Sequence, residues 1–191
     1  MHDGIFKEES WAKLERPERI KGLNPTETLV ALGLKRGDRF VDFGSGTGVF
    51  VVPALELVGE LGCVYAVERS QVLIDRMLEK FQVVPQALKI SKQDLMHLEW
   101  QDERVEWGLL SHVAHELPDL VQFLKLASSA FIPGGKIGII EWCAKEQPQG
   151  PPLHKRISQD ALRTMLVESG WKPESETLLG DDFYMVVASC V

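Results

Sequence analysis

The stretch FVDFGSGTGVF, residues 40–50, places three glycines within five positions, between two apolar runs. Glycine loses more conformational freedom on folding than any other residue, so a cluster of glycines usually marks a place where another group approaches the backbone. RFVDF, which leads into the cluster, is typical of a short β-strand. GVFVVPALELVGE, which follows it, is typical of a buried helix with Pro53 in its first turn. The stretch therefore predicts a strand, a glycine loop and a helix, with a ligand at the loop.

Strand-like and helix-like pieces alternate from residue 38 onward. Further strands are expected at CVYAVE, ALKISKQD, VEWGLLSHV and KIGIIEW, the last one entered through a PGG turn. Helices are expected at SQVLIDRMLEKF, PDLVQFLKLASSAF and SQDALRTMLVESG. This alternation favours a parallel sheet with helices on both faces. The last two strands, KPESETLL and FYMVVASCV, have no helix between them and predict an antiparallel hairpin at one edge.

The composition is that of an ordinary globular protein of 191 residues, with 45% apolar and 26% charged residues. A net charge of −7 disfavours a nucleic-acid partner. We expect no membrane span, because the apolar runs are too short, and no secretion signal at the amino terminus. The three cysteines are scattered without zinc spacing, so they predict a reduced, cytoplasmic protein with no metal site.

Two acidic residues near the glycine loop narrow the chemistry of its ligand. Asp42 lies just before the loop, where a carboxylate repels a pyrophosphate but accepts hydrogen bonds from an ammonium group. Glu68 ends the second strand, 20 residues after Gly48, where an acid can bind both ribose hydroxyls of a nucleoside. The dinucleotide fingerprint places its third glycine at the position that Val49 occupies. S-adenosylmethionine fits these requirements, and the alternative is a tight turn beside a surface acid.

The ordered set of these motifs resembles the class I S-adenosylmethionine-dependent methyltransferases. The resemblance is carried by VDFGSGTG, Glu68, Asp94, LLSHVAHELPD and FIPGGKIGIIEW, and it covers roughly residues 22–191. The sequence is most similar to the small bacterial members of the ubiquinone/menaquinone-biosynthesis type. The resemblance implies a Rossmann-like α/β fold with a seven-stranded sheet of order 3-2-1-4-5-7-6, strand 7 antiparallel and helices on both faces. Residues 1–37 do not join the strand–helix alternation, so we expect an N-terminal helical cap there, before a methyltransferase domain at residues 38–191.

The resemblance also implies which residues bind the cofactor. The loop from Asp42 to Gly48 would hold the methionine part and Glu68 the ribose, although many relatives have aspartate at the position of Glu68. Asp94 and the backbone of Leu95 would face the adenine amino group. Two residues at the end of strand four would line the channel beside the methionine part. The full set of expected contacts is Asp42, Gly44, Ser45, Gly46, Gly48, Glu68, Asp94, Leu95, Ser111 and His112.

The segment HVAHE, residues 112–116, is the most reactive-looking part of the sequence. Its order differs from HExxH and matches no common zinc motif. His115 is therefore predicted either to act as a base or substrate contact, or to pack at the start of a helix. Glu116 has the alternative of a structural role.

The amino-terminal segment is predicted to cover the site. It mixes apolar residues with basic ones, as an amphipathic lid would, and two prolines divide it into short pieces. Trp11, Arg16 and Arg19 are the candidates for contact with a small-molecule methyl acceptor or with the cofactor carboxylate. The alternative is a helix packed on the outer face of the sheet. The residues of this pattern are Phe6, Lys7, Trp11, Lys13, Leu14, Arg16, Arg19 and Ile20.

Two other functions compete with methyl transfer. A nicotinamide-dependent oxidoreductase shares the sheet and the ribose acid, but Val49 and Asp42 count against it. A non-catalytic S-adenosylmethionine-binding protein remains an alternative, because cofactor motifs survive the loss of catalysis.

Overall fold

Seven strands form one mixed sheet in the computed structural model, which describes residues 8–191. The strands are β1 (Arg39–Phe43), β2 (Cys63–Val67), β3 (Leu88–Ser91), β4 (Val105–Ser111), β5 (Phe131–Trp142), β6 (Trp171–Leu179) and β7 (Phe183–Cys190). Their order across the sheet is β3-β2-β1-β4-β5-β7-β6. The first five are parallel to one another, and β7 is antiparallel to both β5 and β6. The predicted topology and the edge hairpin are confirmed.

Six α-helices accompany the sheet within the described residues. They are α1 (Pro17–Leu23), α2 (Pro25–Leu32), α3 (Val51–Val58), α4 (Gln71–Leu78), α5 (Leu120–Ala127) and α6 (Gln159–Glu168). The side chains of Ser70, Asp119 and Ser158 accept hydrogen bonds from the first turns of α4, α5 and α6. None of the helices in residues 8–191 is long and apolar enough to cross a bilayer.

The amino-terminal segment folds into three short pieces before β1. A 3₁₀ helix spans Glu8–Lys13, and α1 and α2 follow. Both α1 and α2 have proline at their first position, where the missing N–H would have no helical partner. Asn24, with φ of 40°, adopts the left-handed conformation that ends α1 and reverses the chain into α2. Phe6 and Lys7 of the predicted lid pattern lie outside the described residues.

The core has two layers, one on each face of the sheet. Side chains alternate along every central strand, so Val41 and Phe43 face one layer and Phe40 the other. Helices α5 and α6 cover the first layer, and α1 to α4 supply buried residues to the second. This arrangement confirms that helices lie on both faces, and it leaves the carboxyl ends of the parallel strands free to form a site.

The PGG sequence differs from its expected role as a turn, because β5 already begins at Phe131. Val105 pairs with Phe131 and Trp107 pairs with Lys136, so the pairing shifts register along β5. Gly134 has a φ of +76°, which suits glycine at such an irregularity. The three residues therefore form a bulge inside the strand.

Candidate functional site

A cavity of about 760 Å³ lies at the carboxyl ends of β1, β2 and β4. Ligands of open α/β sheets bind at this edge, where the strand order reverses. Nine of the ten predicted cofactor contacts line the cavity. They are Asp42, Gly44, Ser45, Gly46, Glu68, Asp94, Leu95, Ser111 and His112.

Gly48 is the predicted contact that does not line the cavity. Its φ is +78°, and a Cβ placed on it would lie 2.6 Å from Cγ of Met77 in α4. Glycine at this position therefore serves a backbone conformation and the close packing of α4. A contact of Gly48 with the ligand stays a prediction, because a glycine in a loop can be required by a buried neighbour as well as by a ligand.

Hydrogen bonds fix the glycine loop to the end of β2. The amides of Gly44 and Ser45 both donate to the Val67 carbonyl, at 2.8 and 3.1 Å. The Glu68 carboxylate accepts from the amides of Gly46 and Ser70, each at 2.9 Å. Because Glu68 is 7% exposed, these bonds hold its oxygens at the cavity wall.

Asp42 is a buried carboxylate beside this loop, with 2% of its surface exposed. No side-chain hydrogen bond stabilises its charge among the residues that the structure describes. Burial and the nearby charge of Glu68 raise the pKa of Asp42 to about 7. A buried acid pair of this kind has a strong preference for a cation.

Asp94 and Leu95 form the part of the cavity that follows β3. Asp94 caps a short 3₁₀ helix, Leu95–His97, by accepting from the Met96 amide at 2.9 Å. Its second oxygen lies 3.7 Å from Arg69 Nη1, and the side chain is half-exposed. Leu95 is buried and gives this end of the cavity an apolar surface.

His112 follows β4 in a strained conformation. Its φ of 59° is uncommon for a non-glycine residue, and strained residues cluster at functional sites. The ring packs against Phe183 and Trp142 with centroid distances of 4.8 and 5.4 Å. Burial, together with the charges of Arg19 and His115, lowers its pKa well below the usual value, so the imidazole is neutral at physiological pH.

His115 pairs with a buried acid and does not line the cavity. Its Nδ1 lies 2.9 Å from both carboxylate oxygens of Glu141, and its backbone amide donates to the same group at 3.1 Å. The histidine side chain is 8% exposed and Glu141 is fully buried. Burial opposes charge on His115, but the hydrogen bond and charge of Glu141 outweigh it and raise its pKa. The predicted role as a catalytic base therefore lacks the contact with the cavity that it needs.

Only part of the amino-terminal segment reaches the cavity. Leu14 and Arg19 line it, whereas Trp11 and Arg16 do not. Trp11 stacks under the guanidinium of Arg76 in α4, at 4.6 Å from ring centroid to Cζ. Arg16 is exposed to solvent. Of the three predicted acceptor contacts, only Arg19 lines the cavity, and Trp11 and Arg16 lie away from it.

Glu141 is a residue of the site region that sequence reasoning missed. Glu141 interrupts the apolar run GIIEW, and a charge inside a buried strand is itself a signal, because such charges are rarely buried without a partner. Leu14 belongs to the predicted lid pattern, but nothing in the sequence singled it out as a contact of the glycine loop. Its Cδ1 lies 3.3 Å from where a Cβ on Gly46 would be, a contact between segments far apart in the sequence.

The fold and the cavity define a class I methyltransferase, and comparison with known families agrees. The model of the methyltransferase domain family matches residues 41–139, and the chain belongs to this family. A solved structure, a SAM-dependent methyltransferase from Aquifex aeolicus, superimposes with a TM-score of 0.91 at 25% identity. The match covers 98% of this chain and 100% of that one.

Curated relatives match nearly two thirds of the chain. A demethylmenaquinone methyltransferase of Lactobacillus johnsonii is 29% identical over 122 residues, which are 63% of this chain and 49% of that protein. A 2-phytyl-1,4-naphtoquinone methyltransferase of Synechococcus elongatus is 26% identical over 123 residues, which are 63% of this chain and 52% of that protein. The chain thus spans about half the length of the curated relatives it matches.

Proposed function

We propose that this protein is an S-adenosylmethionine-dependent methyltransferase that acts on a small-molecule acceptor. The observation that carries the proposal is that two buried carboxylates, Asp42 and Glu68, face one cavity together with the glycine loop. Such a pair favours a cationic nucleoside over a dinucleotide, whose pyrophosphate it would repel. Membership of the methyltransferase domain family supports the same function.

We assign each wall of the cavity to a part of the cofactor. Asp42 accepts hydrogen bonds from the ammonium group, and Glu68 accepts from the ribose hydroxyls through lone pairs that its two backbone bonds leave free. Asp94 and Leu95 take the adenine, and the end of β4 lies beside the methionine part. When bound, the cofactor supplies a methyl group that its sulfonium makes electrophilic.

The residues of this chain contribute orientation and the exclusion of water. Methyl transfer is an in-line displacement, so rate depends on holding the acceptor opposite the sulfur in a closed site. We propose that residues 1–37 cap the site, supported by Leu14 against the glycine loop and Arg19 at the end of β4. His115 takes a positioning role in this proposal, because it acts on the turn that carries Glu116 and Leu117 to the cavity wall.

The acceptor is proposed from the chemistry of the relatives. Those proteins are named for menaquinone and naphthoquinone rings, so we propose a small molecule with an electron-rich ring. An acidic hydroxyl on such a ring needs little help from a base. The proposal therefore does not require His115 to remove a proton.

Thermal unfolding with added ligands tests the cofactor assignment. S-adenosylhomocysteine at 100 times its dissociation constant should stabilise the protein by about 2.7 kcal/mol. NAD at the same concentration should not. If NAD raises the melting temperature and S-adenosylhomocysteine does not, the chain is instead a nicotinamide-binding protein. A screen of ring-containing acceptors with radiolabelled S-adenosylmethionine then separates an enzyme from a non-catalytic cofactor-binding protein.

A further inference from the structure

Arg19 places a cation in the cavity that no carboxylate neutralises among residues 8–191. Its Nη1 donates to the Leu14 carbonyl at 2.7 Å, and Nη2 lies 3.3 Å from Nδ1 of His112. Burial lowers the pKa of Arg19 to about 10, which still leaves the guanidinium charged at neutral pH. Two of its five N–H donors are used in these contacts, so donors remain for a ligand.

His112 positions Arg19 without balancing its charge. Arginine is only a donor, so a hydrogen bond from Arg19 requires Nδ1 of the neutral His112 ring to accept, and the Ser111 hydroxyl lies 3.0 Å from the same nitrogen. Nε2 is buried and has no hydrogen-bond partner among the described residues, and the ring packs against Phe183 and Trp142. A partly buried cation beside a neutral ring is stabilised most by an anion.

The position of Arg19 in the chain indicates which ligand would bring that anion. The residues assigned to the cofactor lie between Asp42 and His112, inside the segment that the family model matches. Arg19 lies outside it, in the amino-terminal segment. Enzymes of the family would share the cofactor and bind it through the segment that they have in common, whereas their acceptors differ. A residue outside that segment, such as Arg19, is therefore better placed to contact the acceptor.

We propose that Arg19, held in place by His112, binds an anionic oxygen of the methyl acceptor. The acceptor class is a ring compound with a carboxylate or an ionised ring hydroxyl, and the inference rests on the proposed methyltransferase function. Arg19 cannot serve as a base, because its guanidinium is already protonated. It instead favours the ionised acceptor, whose electron pair forms the new bond to the methyl carbon. The S–CH₃ pair returns to sulfur, which becomes a neutral thioether.

Paired aromatic probes test the proposal on the protein saturated with S-adenosylhomocysteine. Calorimetry would compare 1-hydroxy-2-naphthoate with its uncharged amide. Wild-type protein should bind the acid at least about tenfold more tightly than the amide, the range of a charge-assisted pair. Arg19→Gln should abolish this preference, and Arg19→Lys should keep part of it. Arg16→Gln is the matched control, because it removes an exposed cation from the same segment and should leave the preference intact.

Three results would overturn the proposal. One is equal or absent binding of acid and amide by the wild-type complex, and another is a preference that survives in Arg19→Gln. The third is a large loss of S-adenosylhomocysteine affinity in Arg19→Gln with unchanged affinity for methylthioadenosine, which lacks the amino-acid part. That pattern would assign Arg19 to the cofactor carboxylate. Failure of wild-type protein to bind S-adenosylhomocysteine would instead remove the proposed function on which this inference depends.

Discussion

Asp42 lowers the stability of the unliganded fold when it is ionised, and we propose that it binds the ammonium group of the cofactor. Its carboxylate is buried beside Glu68, and its pKa rises from 3.8 to about 7 because of burial and that neighbouring charge. Ionising this residue therefore destabilises the unliganded fold. A cation in the cavity would offset that effect, so the strain is removed when the proposed ligand binds.

Asp42→Asn should stabilise the unliganded protein and weaken cofactor binding. A raised native pKa means that the native state binds more protons than the unfolded chain between about pH 4 and pH 7. Wild-type stability should fall as pH rises through this window, by up to about 4 kcal/mol. Asp42→Asn should lack that fall in stability and should melt at a higher temperature than wild type at pH 8. The control Asp102→Asn changes an exposed residue, so its pH dependence and its melting temperature should match those of wild type. Denaturant titrations at pH 5 and pH 8 measure this, and an unchanged pH dependence would contradict it.

Glu68→Gln should reduce the affinity for S-adenosylhomocysteine while leaving the chain folded. The amide keeps one acceptor for the loop amides but loses the charge that strengthens the proposed ribose bonds. Each bond to a charged acceptor is worth roughly 1.5–3 kcal/mol, so a loss of tenfold or more is expected. The exposed Glu60→Gln is the control, since it removes the same charge near the end of α3. Equal affinities in a calorimetric titration would remove Glu68 from the site.

Two side-chain contacts attach the amino-terminal segment to α4 and to the turn that follows it. Trp11 stacks on Arg76 of α4, and Glu15 pairs at 2.6 Å with Lys80, which lies two residues beyond the end of α4. Both pairs are partly exposed, and pairs of this kind contribute about 1 kcal/mol or less each. We infer that the segment opens more easily than the rest of the fold, as a cap over a binding site must.

The double variant Trp11→Ala/Glu15→Gln should open the cap without unfolding the domain. The Leu14 and Glu15 amides donate to Trp11 and Ala12, and their hydrogen exchange should become faster. Strand amides should exchange as before. Glu79→Gln breaks the exposed Arg76–Glu79 pair of α4 and serves as the control. If the two variants exchange alike at Leu14, these contacts do not hold the cap.

His115→Gln tests the connection between β5 and the 3₁₀ turn Ala114–Glu116. Removing one partner of a buried pair costs about 3 kcal/mol or more, because Glu141 stays buried without a countercharge. The pKa of His115 is raised on folding, so its charged contribution is present below pH 6.5 and is lost as pH rises through the native pKa. The stability difference from wild type should therefore shrink at high pH.

Comparing His115→Gln with the double variant His115→Gln/Glu141→Gln in denaturant titrations separates pairing from packing. If the charge pair matters, the double variant should recover part of the lost stability. A pH-independent difference with no recovery would show that the histidine only fills space.

The two ends of the strands in the sheet have different roles: the carboxyl ends of the parallel strands line the cavity, and their amino ends do not. The parallel strands point their carboxyl ends at the cavity, and the antiparallel β7 brings Phe183 to the same edge, against His112. The opposite edge carries the other strand ends and the β6–β7 pairing at Trp171 and Cys190.

The protection of backbone amides from hydrogen exchange by S-adenosylhomocysteine should therefore decrease with distance from the cavity. In hydrogen exchange, the glycine loop and the backbone around Glu68 and His112 should slow most. The amides of Val187 to Cys190 should change little, because they lie away from the cavity. Protection that is uniform along β7 would indicate global stabilisation without a defined binding edge.

Local patterns in the sequence were enough to predict the fold and nine of the ten expected cofactor contacts along the cavity. The glycine loop, the acid at the end of the second strand and the strand–helix alternation are local patterns, and a parallel sheet brings its carboxyl ends to one edge whatever the details. This is why nine of ten predicted contacts meet at one site.

The partners of individual side chains depend on how distant segments pack in the folded chain. The tertiary structure pairs His115 with Glu141, 26 residues away, and turns Gly48 toward Met77. It also separates Arg19, which reaches His112 across 93 residues, from the exposed Arg16. The physical reason is that periodicity specifies which face of an element is buried. The group that fills a given space on that face depends on the packing of distant segments.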